Sequence, residues 1–227
     1  MLEVQKLPNI NIQGLFTHFS DAEELESGFT EIQLKKFKNV LKDLQKLQIK
    51  IPIIHAAKSA GILFWPEAHF DMVRLGISAY GYSPADAGVK LPIKLQPIMS
   101  LKTYISHVKK VPINTPISYG RTFHTQKESS IATLPIGYAD GFRRAPKNWG
   151  EVLVGGKKVP IVGRVCMDQS MVDTSAVDGA RVGDEVVIIG KQGEEEISGQ
   201  YAARCLGTSV YEVLTSVSAR VTRVYVK

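Results

Sequence analysis

The hydrophobic pattern of the chain changes near residue 93, and this change constrains the fold more than any other feature. Before it, apolar runs alternate with a long segment of three- and four-residue periodicity, which is typical of strands joined by crossover helices. After it, short β-branched runs are separated by glycine-containing turns, which is typical of antiparallel sheets. We therefore predict an α/β domain over residues 1–92 and an all-β domain over residues 93–227, with the proline-containing segment 83–97 as their boundary.

The first domain is predicted to hold one strong helix and three strands that end in polar residues. Thr30 and Gln33 have the spacing of a capping box, and leucines recur on one face after them, so a helix is expected over residues 30–47. A turn of small residues, 58–61, follows the second strand. Three parallel strands are too few for a closed barrel and would leave their apolar faces without partners, which suggests that a portion of the domain is missing. The strands are predicted over residues 12–19, 51–56 and 72–75.

Three motifs in the second domain combine glycine with reactive side chains between residues 117 and 173. They are SYG around Tyr119, GYADG around Tyr138 and VGRVCMD, which contains Arg164 and Met167. Glycine beside a polar residue at a strand end lets the backbone turn and present the side chain into a cleft. Each motif alone is equally consistent with a hairpin corner. Short helices are also expected over residues 198–206 and 210–214.

Composition excludes several classes of protein. The net charge of +6 suits an anionic ligand or nucleic acid, but much of the excess is a lysine-rich face of the predicted helix, which favours a solvated surface. The apolar runs are too short to span a bilayer, and the N-terminus lacks the apolar core of a signal peptide, so a cytoplasmic protein without membrane contact is expected. Cys166 and Cys205 lack the spacing of a disulfide framework or metal site.

Polar residues at the predicted strand ends suggest a site for an anionic ligand. Ser59 and the pair Gly76 and Ile77 directly follow strands, where small residues and free amides suit a phosphate group. Arg74 lies just before the second turn, and its permanently charged guanidinium would keep a ligand nitrogen in the neutral, accepting form. An ion pair with Asp71 or a loop carboxylate is the alternative for Arg74, and spacing alone favours it.

Tyr119 is the strongest acid–base candidate. A phenol with an ordinary pKa near 10 needs a neighbouring cation to act as a base, and Arg144 or Arg164 could supply it. The alternative is a tyrosine of the core, which is common. His18 and His55 close apolar strands, where structural histidines are more frequent than proton carriers.

Taken in order, these motifs resemble the C-terminal part of the alanine racemase family over nearly the whole chain. The matching text is LFTHFSDA, IIHAAKSAG, DMVRLGISAYG, ISYGRTF, TLPIGYADGFRR, PIVGRVCMDQSMVD, VGDEVVIIG and LGTSVYEVL. The resemblance implies the last strands of a TIM-type (α/β)8 barrel followed by a mainly antiparallel β-domain. It also implies pyridoxal 5'-phosphate as cofactor, interconversion of L- and D-alanine for peptidoglycan, and a head-to-tail homodimer with shared active sites.

The resemblance also assigns roles to individual residues. Tyr119 would exchange the proton on one face of the substrate α-carbon, the backbone of Met167 would contact the substrate carboxylate, and Tyr138 would narrow the entrance. Arg74 would face the pyridine nitrogen with His18 behind it. The cofactor phosphate would lie at Ser59, Gly76 and Ile77, and an access corridor would be lined by His55, Arg144 and Arg164.

Two departures from the family pattern qualify this reading. The family's catalytic lysine belongs to the first barrel strand, so the chain is expected to be an incomplete piece that is inactive alone. Ala219 stands where the family usually has a tyrosine beside the phosphate and substrate, which leaves a racemase of broader specificity, acting also on serine, as an alternative. A nucleic-acid-binding β-barrel is a second alternative, suggested by the basic charge, although aromatic residues do not cluster beside its cations.

Overall fold

The chain forms two compact units in a computed structural model, Met1–Ile98 and Met99–Lys227. The structure describes residues 1–85 and 88–226. Asp86 and Ala87, which belong to the predicted boundary segment, lie outside the described residues. Across the described part of the chain, none of the helices combines the length and apolar character needed to cross a membrane.

The first unit combines a two-stranded parallel sheet with one long helix and two short ones. Strands β1 and β2 pair in parallel, with Gly14 opposite Ile53 and Phe16 opposite His55. Two 3₁₀ turns, Pro66–Ala68 and Ile77–Tyr80, follow the last helix. The elements are α1 (Leu2–Gln5), β1 (Gly14–Phe16), α2 (Phe29–Lys46), β2 (Ile53–His55) and α3 (Ser59–Phe64).

Helix α2 matches the predicted helix to within one residue at each end, but its predicted capping box is wrong. The helix follows Gly28, whose left-handed backbone (φ 67°) turns the chain, and Thr30 lies buried inside it. Gln33 instead accepts hydrogen bonds from the amide (3.1 Å) and hydroxyl (3.2 Å) of Ser20. The apolar face of α2 packs on Phe19 and Trp65, as the periodicity predicts. Its buried residues are Thr30, Leu34, Phe37 and Leu44.

Two further predictions for this unit need correction. Residues 72–75 do not form a strand, because only Met72 makes a bridge, to His55, and the following residues have no ladder partner among those described. The predicted turn at residues 58–61 is the first part of α3. Strand β2 is shorter than predicted and only partly buried, since its sheet has no third full strand.

The second unit is an antiparallel β-domain that ends in two helices. Strands β10, β7 and β4 form one sheet in that order, and β12, β11, β8 and β9 form another, with β3 also paired to β11. The elements are β3 (Leu101–Tyr104), β4 (His107–Val111), β5 (Pro116–Ile117), β6 (Phe123–His124), β7 (Ser129–Leu134), β8 (Glu151–Val154), β9 (Lys157–Pro160), β10 (Ser170–Asp173), β11 (Glu185–Gln192), β12 (Glu195–Ile197), α4 (Gly199–Leu206) and α5 (Val210–Ser216).

The sequence signals for this unit are confirmed. Helix α4 is capped by Ser198, whose hydroxyl accepts a hydrogen bond from the Tyr201 amide (3.1 Å), and it ends at Gly207 with left-handed φ of 67°. Consecutive apolar side chains of β8 and β11 are buried in a core that excludes water, including Val152, Leu153, Val154, Val187 and Ile188. The sheets therefore give the loops between them a rigid support.

Candidate functional site

Arg74 is the centre of a polar group at the strand ends of the first unit. Its Nη1 lies 2.5 Å from Nδ1 of His55, and its Nη2 donates to the carbonyl oxygens of Thr17 (3.0 Å) and Ala56 (2.8 Å). Nδ1 of His18 is 3.3 Å from the same Nη2. These contacts use neutral acceptors, so the positive charge of the guanidinium is hydrogen-bonded but not neutralised by a carboxylate.

The ion pair that spacing favoured for Arg74 is therefore wrong. The carboxylate of Asp71 accepts a hydrogen bond from the backbone amide of Ile54 at 2.8 Å. Among the described residues, Arg74 forms no ion pair. A part-buried cation that retains its charge can attract an anion or hold an acceptor nitrogen of a ligand.

The surroundings of the two histidines beside Arg74 favour their neutral form. Desolvation, and then the positive charge of Arg74, lowers the pKa of both His55 and His18 below the ordinary value of 6.5, and Lys58 lowers that of His18 further. The ring of Phe16 stacks on His55 at 5.1 Å with an angle of 9° between the planes. Neutral imidazoles can accept the hydrogen bonds of Arg74 through Nδ1. His55, which the resemblance assigned to the corridor, thus contacts Arg74 directly.

Ser59, the first residue of α3, lies against the turn formed by Gly76 and Ile77, just after Arg74. Ser59 is almost fully buried (3% exposed), and its hydroxyl accepts hydrogen bonds from the amides of Gly76 (3.0 Å) and Ser78 (3.4 Å). Ile77 is also buried. Lys58, directly before α3, is part-buried in an ion pair with Glu23 at 2.7 Å. The sequence-predicted phosphate residues therefore do come together.

In the second unit, Tyr119 projects from a strained loop and is 66% exposed. The preceding Ser118 has φ 63° and ψ −178°, a region of the backbone map that is populated almost entirely by glycine. Its hydroxyl donates to the carbonyl of Arg164 at 2.6 Å and lies 3.7 Å from the sulfur of Cys166. Such a backbone costs about 1–3 kcal/mol. The hydrogen bond to Arg164 helps to hold it, and with it the position from which the Tyr119 side chain projects.

The segment around Arg164 packs directly under the Tyr119 loop. A Cβ atom at Gly163 would lie 2.7 Å from Cβ of Ser118, so only glycine allows this approach. The guanidinium of Arg164 lies beside Gly120, where a Cβ atom would be 3.1 Å from Nη1. Arg164, which the sequence analysis named as a possible cation for Tyr119, therefore does lie beside the Tyr119 loop.

The Tyr138 turn is joined to the Met167 segment by backbone hydrogen bonds. The amides of Tyr138 and Ala139 donate to the carbonyls of Cys166 and Met167, each at 3.0 Å. A Cβ atom at Gly137 would lie 2.3 Å from both of these carbonyl oxygens. Met167 is 55% exposed and Tyr138 41% exposed. Tyr119, Tyr138, Arg164 and Met167 are thus carried by three adjoining loops of one unit.

Other parts of the prediction are not brought together. Arg144 has no hydrogen bond or ion pair within residues 1–85 and 88–226, whereas its neighbour Arg143 pairs with Glu212 at 3.5 Å. No group of metal-ligating side chains occurs in the described residues. Sequence reasoning also missed the role of the Thr17 and Ala56 carbonyls and of Ser118. Backbone acceptors leave no residue-type signal, and only the glycine after Tyr119 hinted at the strain.

Comparison with known proteins places this arrangement in a family context. The family described as "Alanine racemase, N-terminal domain" matches residues 1–84, and "Alanine racemase, C-terminal domain" matches residues 98–225. The protein named alanine racemase from Methanococcus maripaludis is 50% identical over 98% of this chain and 60% of its own length. Alanine racemase 1 of Clostridium acetobutylicum is 44% identical, and 58% of its length is matched.

Solved structures give the same picture. Alanine racemase from Bacillus anthracis with bound L-Ala-P superposes with a TM-score of 0.91 at 40% identity, over 97% of this chain and 56% of that one. The complex of Clostridium difficile alanine racemase with cycloserine gives 0.86 at 41% identity, over 97% of this chain and 58% of that one. The chain therefore spans less than two thirds of these proteins. The predicted fold class, barrel strands followed by a β-domain, is confirmed.

Proposed function

Because this chain belongs to the alanine racemase family, we propose that it is the C-terminal portion of a pyridoxal-phosphate-dependent enzyme that interconverts L- and D-alanine. The observation that carries the proposal is the meeting of Tyr119, Tyr138 and Met167 on adjoining loops in a chain whose full length matches racemases. We place this activity in the cytoplasm, as a source of D-alanine for peptidoglycan.

The residues of the first unit fit pyridoxal phosphate. Arg74 is a cation with no carboxylate partner among the described residues, and the Ser59 hydroxyl at the start of α3 meets the turn at Gly76 and Ile77 beside it. Arg74 would hold the pyridine nitrogen as an acceptor, and the turn would bind the phosphate. Once bound, the cofactor would supply an electron sink for charge at the substrate α-carbon. His18 and His55 would keep Arg74 in position through Nδ1.

The residues of the second unit would act on the substrate. The phenol of Tyr119 is exposed on a fixed loop, which suits proton exchange at one face of the α-carbon. The backbone amide of Met167, which donates to no other group in the described residues, would bind the substrate carboxylate. Tyr138 would narrow the entrance, and Arg164 and Arg144 would attract the carboxylate of the substrate along the corridor. In a head-to-tail homodimer, these groups would complete the site of the second copy.

The proposal is tested by joining this chain to the part of the Methanococcus maripaludis relative that precedes the matched region. With pyridoxal phosphate, the joined protein should exchange L- and D-alanine, measured by chiral chromatography. Tyr119→Phe should slow the exchange by about 100-fold or more, the range expected for loss of a positioned acid–base group. Tyr104→Phe, at another exposed tyrosine of the same unit, is the control. Equal rates in the two variants would refute the role of Tyr119.

A racemase of broader specificity is a second candidate because Ala219 is exposed in the segment that also contacts Asp140. A small side chain there leaves room for a substrate larger than alanine. In the joined protein, Ala219→Tyr should raise the preference for alanine over serine by about tenfold, the effect of one buried methylene-sized contact or more. An unchanged preference would remove this candidate.

A further inference from the structure

Arg220 holds three separate segments of the second unit together. Its Nε lies 2.9 Å from Oδ1 of Asp140, and its Nη2 lies 2.7 Å from Oδ1 of Asp168. Asp140 ends the 3₁₀ turn that begins with Tyr138, whereas Asp168 directly follows Met167. One guanidinium on the C-terminal segment therefore reaches both loops that carry the predicted substrate contacts.

The contact between Arg220 and Asp140 should affect the Tyr138 turn because Asp140 is nearly buried. Its side chain is only 11% exposed, and its second oxygen, Oδ2, accepts a hydrogen bond from the Gly137 amide at 2.8 Å. Its backbone carbonyl accepts from the Ser218 amide at 3.0 Å. A nearly buried carboxylate that lost its cation would be left poorly compensated, so the Tyr138 turn depends on Arg220.

The contact between Arg220 and Asp168 links Arg220 to the Met167 segment as well. Asp168 is 53% exposed, so this arm alone would contribute little in a high-dielectric environment. Arg220 nevertheless spans both carboxylates at once, and a lysine ammonium cannot reproduce two directed contacts from one planar group. The Tyr138 turn and the Met167 segment are already joined by two backbone hydrogen bonds, so displacement of one moves the other.

We propose that Arg220 is a positioning residue of the racemase, which sets the Met167 amide and the Tyr138 ring at the substrate carboxylate and entrance. This inference rests on the proposed function. The Tyr119 loop is held at Ser118 and Gly163, and Arg220 makes no hydrogen bond or ion pair with that loop in the described residues. Loss of Arg220 should therefore weaken substrate binding much more than proton exchange.

The chain offers a matched control three residues further on. Arg223 is also an arginine of the C-terminal segment, but its guanidinium donates to the carbonyls of Val217, Ser218 and Val221 in the same segment. Arg223→Met removes the same charge and the same number of side-chain atoms as Arg220→Met. It does not remove a contact to Asp140 or Asp168, so it reports loosening of the segment alone.

The first measurement uses the 227-residue chain and is independent of catalysis. Hydrogen exchange followed by mass spectrometry should show about tenfold faster exchange in peptides covering residues 137–142 and 164–170 for Arg220→Met, the change that a loss of about 1.4 kcal/mol gives. Arg220→Lys should recover only part of the protection, and Arg223→Met should leave residues 164–170 unchanged. Unchanged exchange in Arg220→Met, or equal changes in both methionine variants, would overturn the proposal.

The second measurement uses the joined protein described above. Arg220→Met should raise KM for alanine by about tenfold and change kcat by less than about threefold. A merely structural role would lower the active fraction, so kcat would fall with KM unchanged, and that result would overturn the proposal. If the joined protein carrying Arg220 does not racemise alanine, the proposed function fails, and the exchange measurement still decides whether Arg220 couples the two loops.

Discussion

The two units of the chain differ in how far they bury their own apolar residues. In the second unit, the strands close on a core in which Leu153 and Ile188 are fully excluded from water. In the first unit, Phe16, Leu75 and Leu2 are more than half exposed, and β1 and β2 form a sheet of only two strands. The difference shows that similar apolar content does not give similar cores. A two-stranded sheet is marginal by itself, and its apolar residues contribute to stability only where another element covers them.

The largest difference in unfolding free energy is expected from truncating one leucine in each unit, buried in the second and exposed in the first. Leu153→Ala should lower the free energy of unfolding by about 2–5 kcal/mol, because it leaves a cavity. Leu75→Ala, at a side chain that is 58% exposed, should cost less than about 0.5 kcal/mol. The chain has two tryptophans, Trp65 in the first unit and Trp149 in the second. Fluorescence during urea unfolding reports the first unit in a Trp149→Phe background, through Trp65, and the second unit in a Trp65→Phe background, through Trp149. Equal losses of unfolding free energy for Leu75→Ala and Leu153→Ala would show that the exposed face of the first unit is covered in solution.

A smaller effect should test the close backbone packing of the second unit. Gly141 and Gly179 both have left-handed backbones (φ 95° and 70°), but a Cβ atom would lie 2.0 Å from the Ser216 carbonyl oxygen at Gly141 and meets nothing within 4 Å at Gly179. Both alanine variants incur about 1–2 kcal/mol of backbone strain. Gly141→Ala should lose about 1–3 kcal/mol more by overpacking, measured by urea unfolding. A similar loss in the two variants would contradict this close contact.

Two buried threonines should respond in opposite directions. The Thr30 hydroxyl in the first unit has no hydrogen-bond partner in the described residues, whereas that of Thr174 in the second donates to the Ser130 carbonyl at 3.0 Å. Both side chains are fully buried. Thr30→Val should raise the free energy of unfolding by about 1 kcal/mol, and Thr174→Val should lower it by about as much. If Thr30 capped α2, Thr30→Val would also lower the free energy of unfolding. The sign of the change in unfolding free energy therefore tests whether Thr30 is a cap.

The smallest effect is a difference in pH dependence. Desolvation and Arg74 lower the pKa of His18 and His55 below 6.5, so the unfolded chain binds protons more readily than the folded first unit. The stability of the first unit should therefore be complete above pH 6.5 and decrease as the pH falls below that value. Fluorescence of Trp65 during urea unfolding at a series of pH values measures this. The double variant His18→Gln and His55→Gln should flatten the profile, and an unchanged slope would exclude the two histidines as its source.

The sequence predicted elements well where one local signal acts alone. The period of apolar residues predicted α2, and the short helix predicted over residues 198–206 is α4. The sequence-based prediction was wrong where the structure of a segment depends on the residues that it contacts elsewhere in the chain. Thr30 and Gln33 have capping-box spacing, but Gly28 turns the chain first and Ser20 takes the Gln33 side chain. The predicted strand at residues 72–75 lacks a neighbouring ladder, so it reduces to the bridge at Met72.

In the candidate site, too, residues with a local signal were predicted and contacts between distant residues were not. Residue types and glycines identified Tyr119, Tyr138 and Arg164, which the fold brings to adjoining loops. The environment of Arg74 was not predictable, since its acceptors are two carbonyls and two imidazoles rather than a carboxylate that sequence spacing could suggest. Arg220 was missed because Asp140 and Asp168 are distant from it along the chain, and no pattern joins residues across that separation.

The backbone of Ser118 has a consequence for attempts to make this protein more heat-resistant. Glycine would adopt φ 63° and ψ −178° without the steric cost of a Cβ atom, so a screen that selects only for melting temperature would favour Ser118→Gly. The same exchange would remove the hydroxyl that ties this loop to the Arg164 carbonyl and would release the phenol next to it. Selection for heat resistance and selection for a fixed Tyr119 side chain therefore act in opposite directions at this one position.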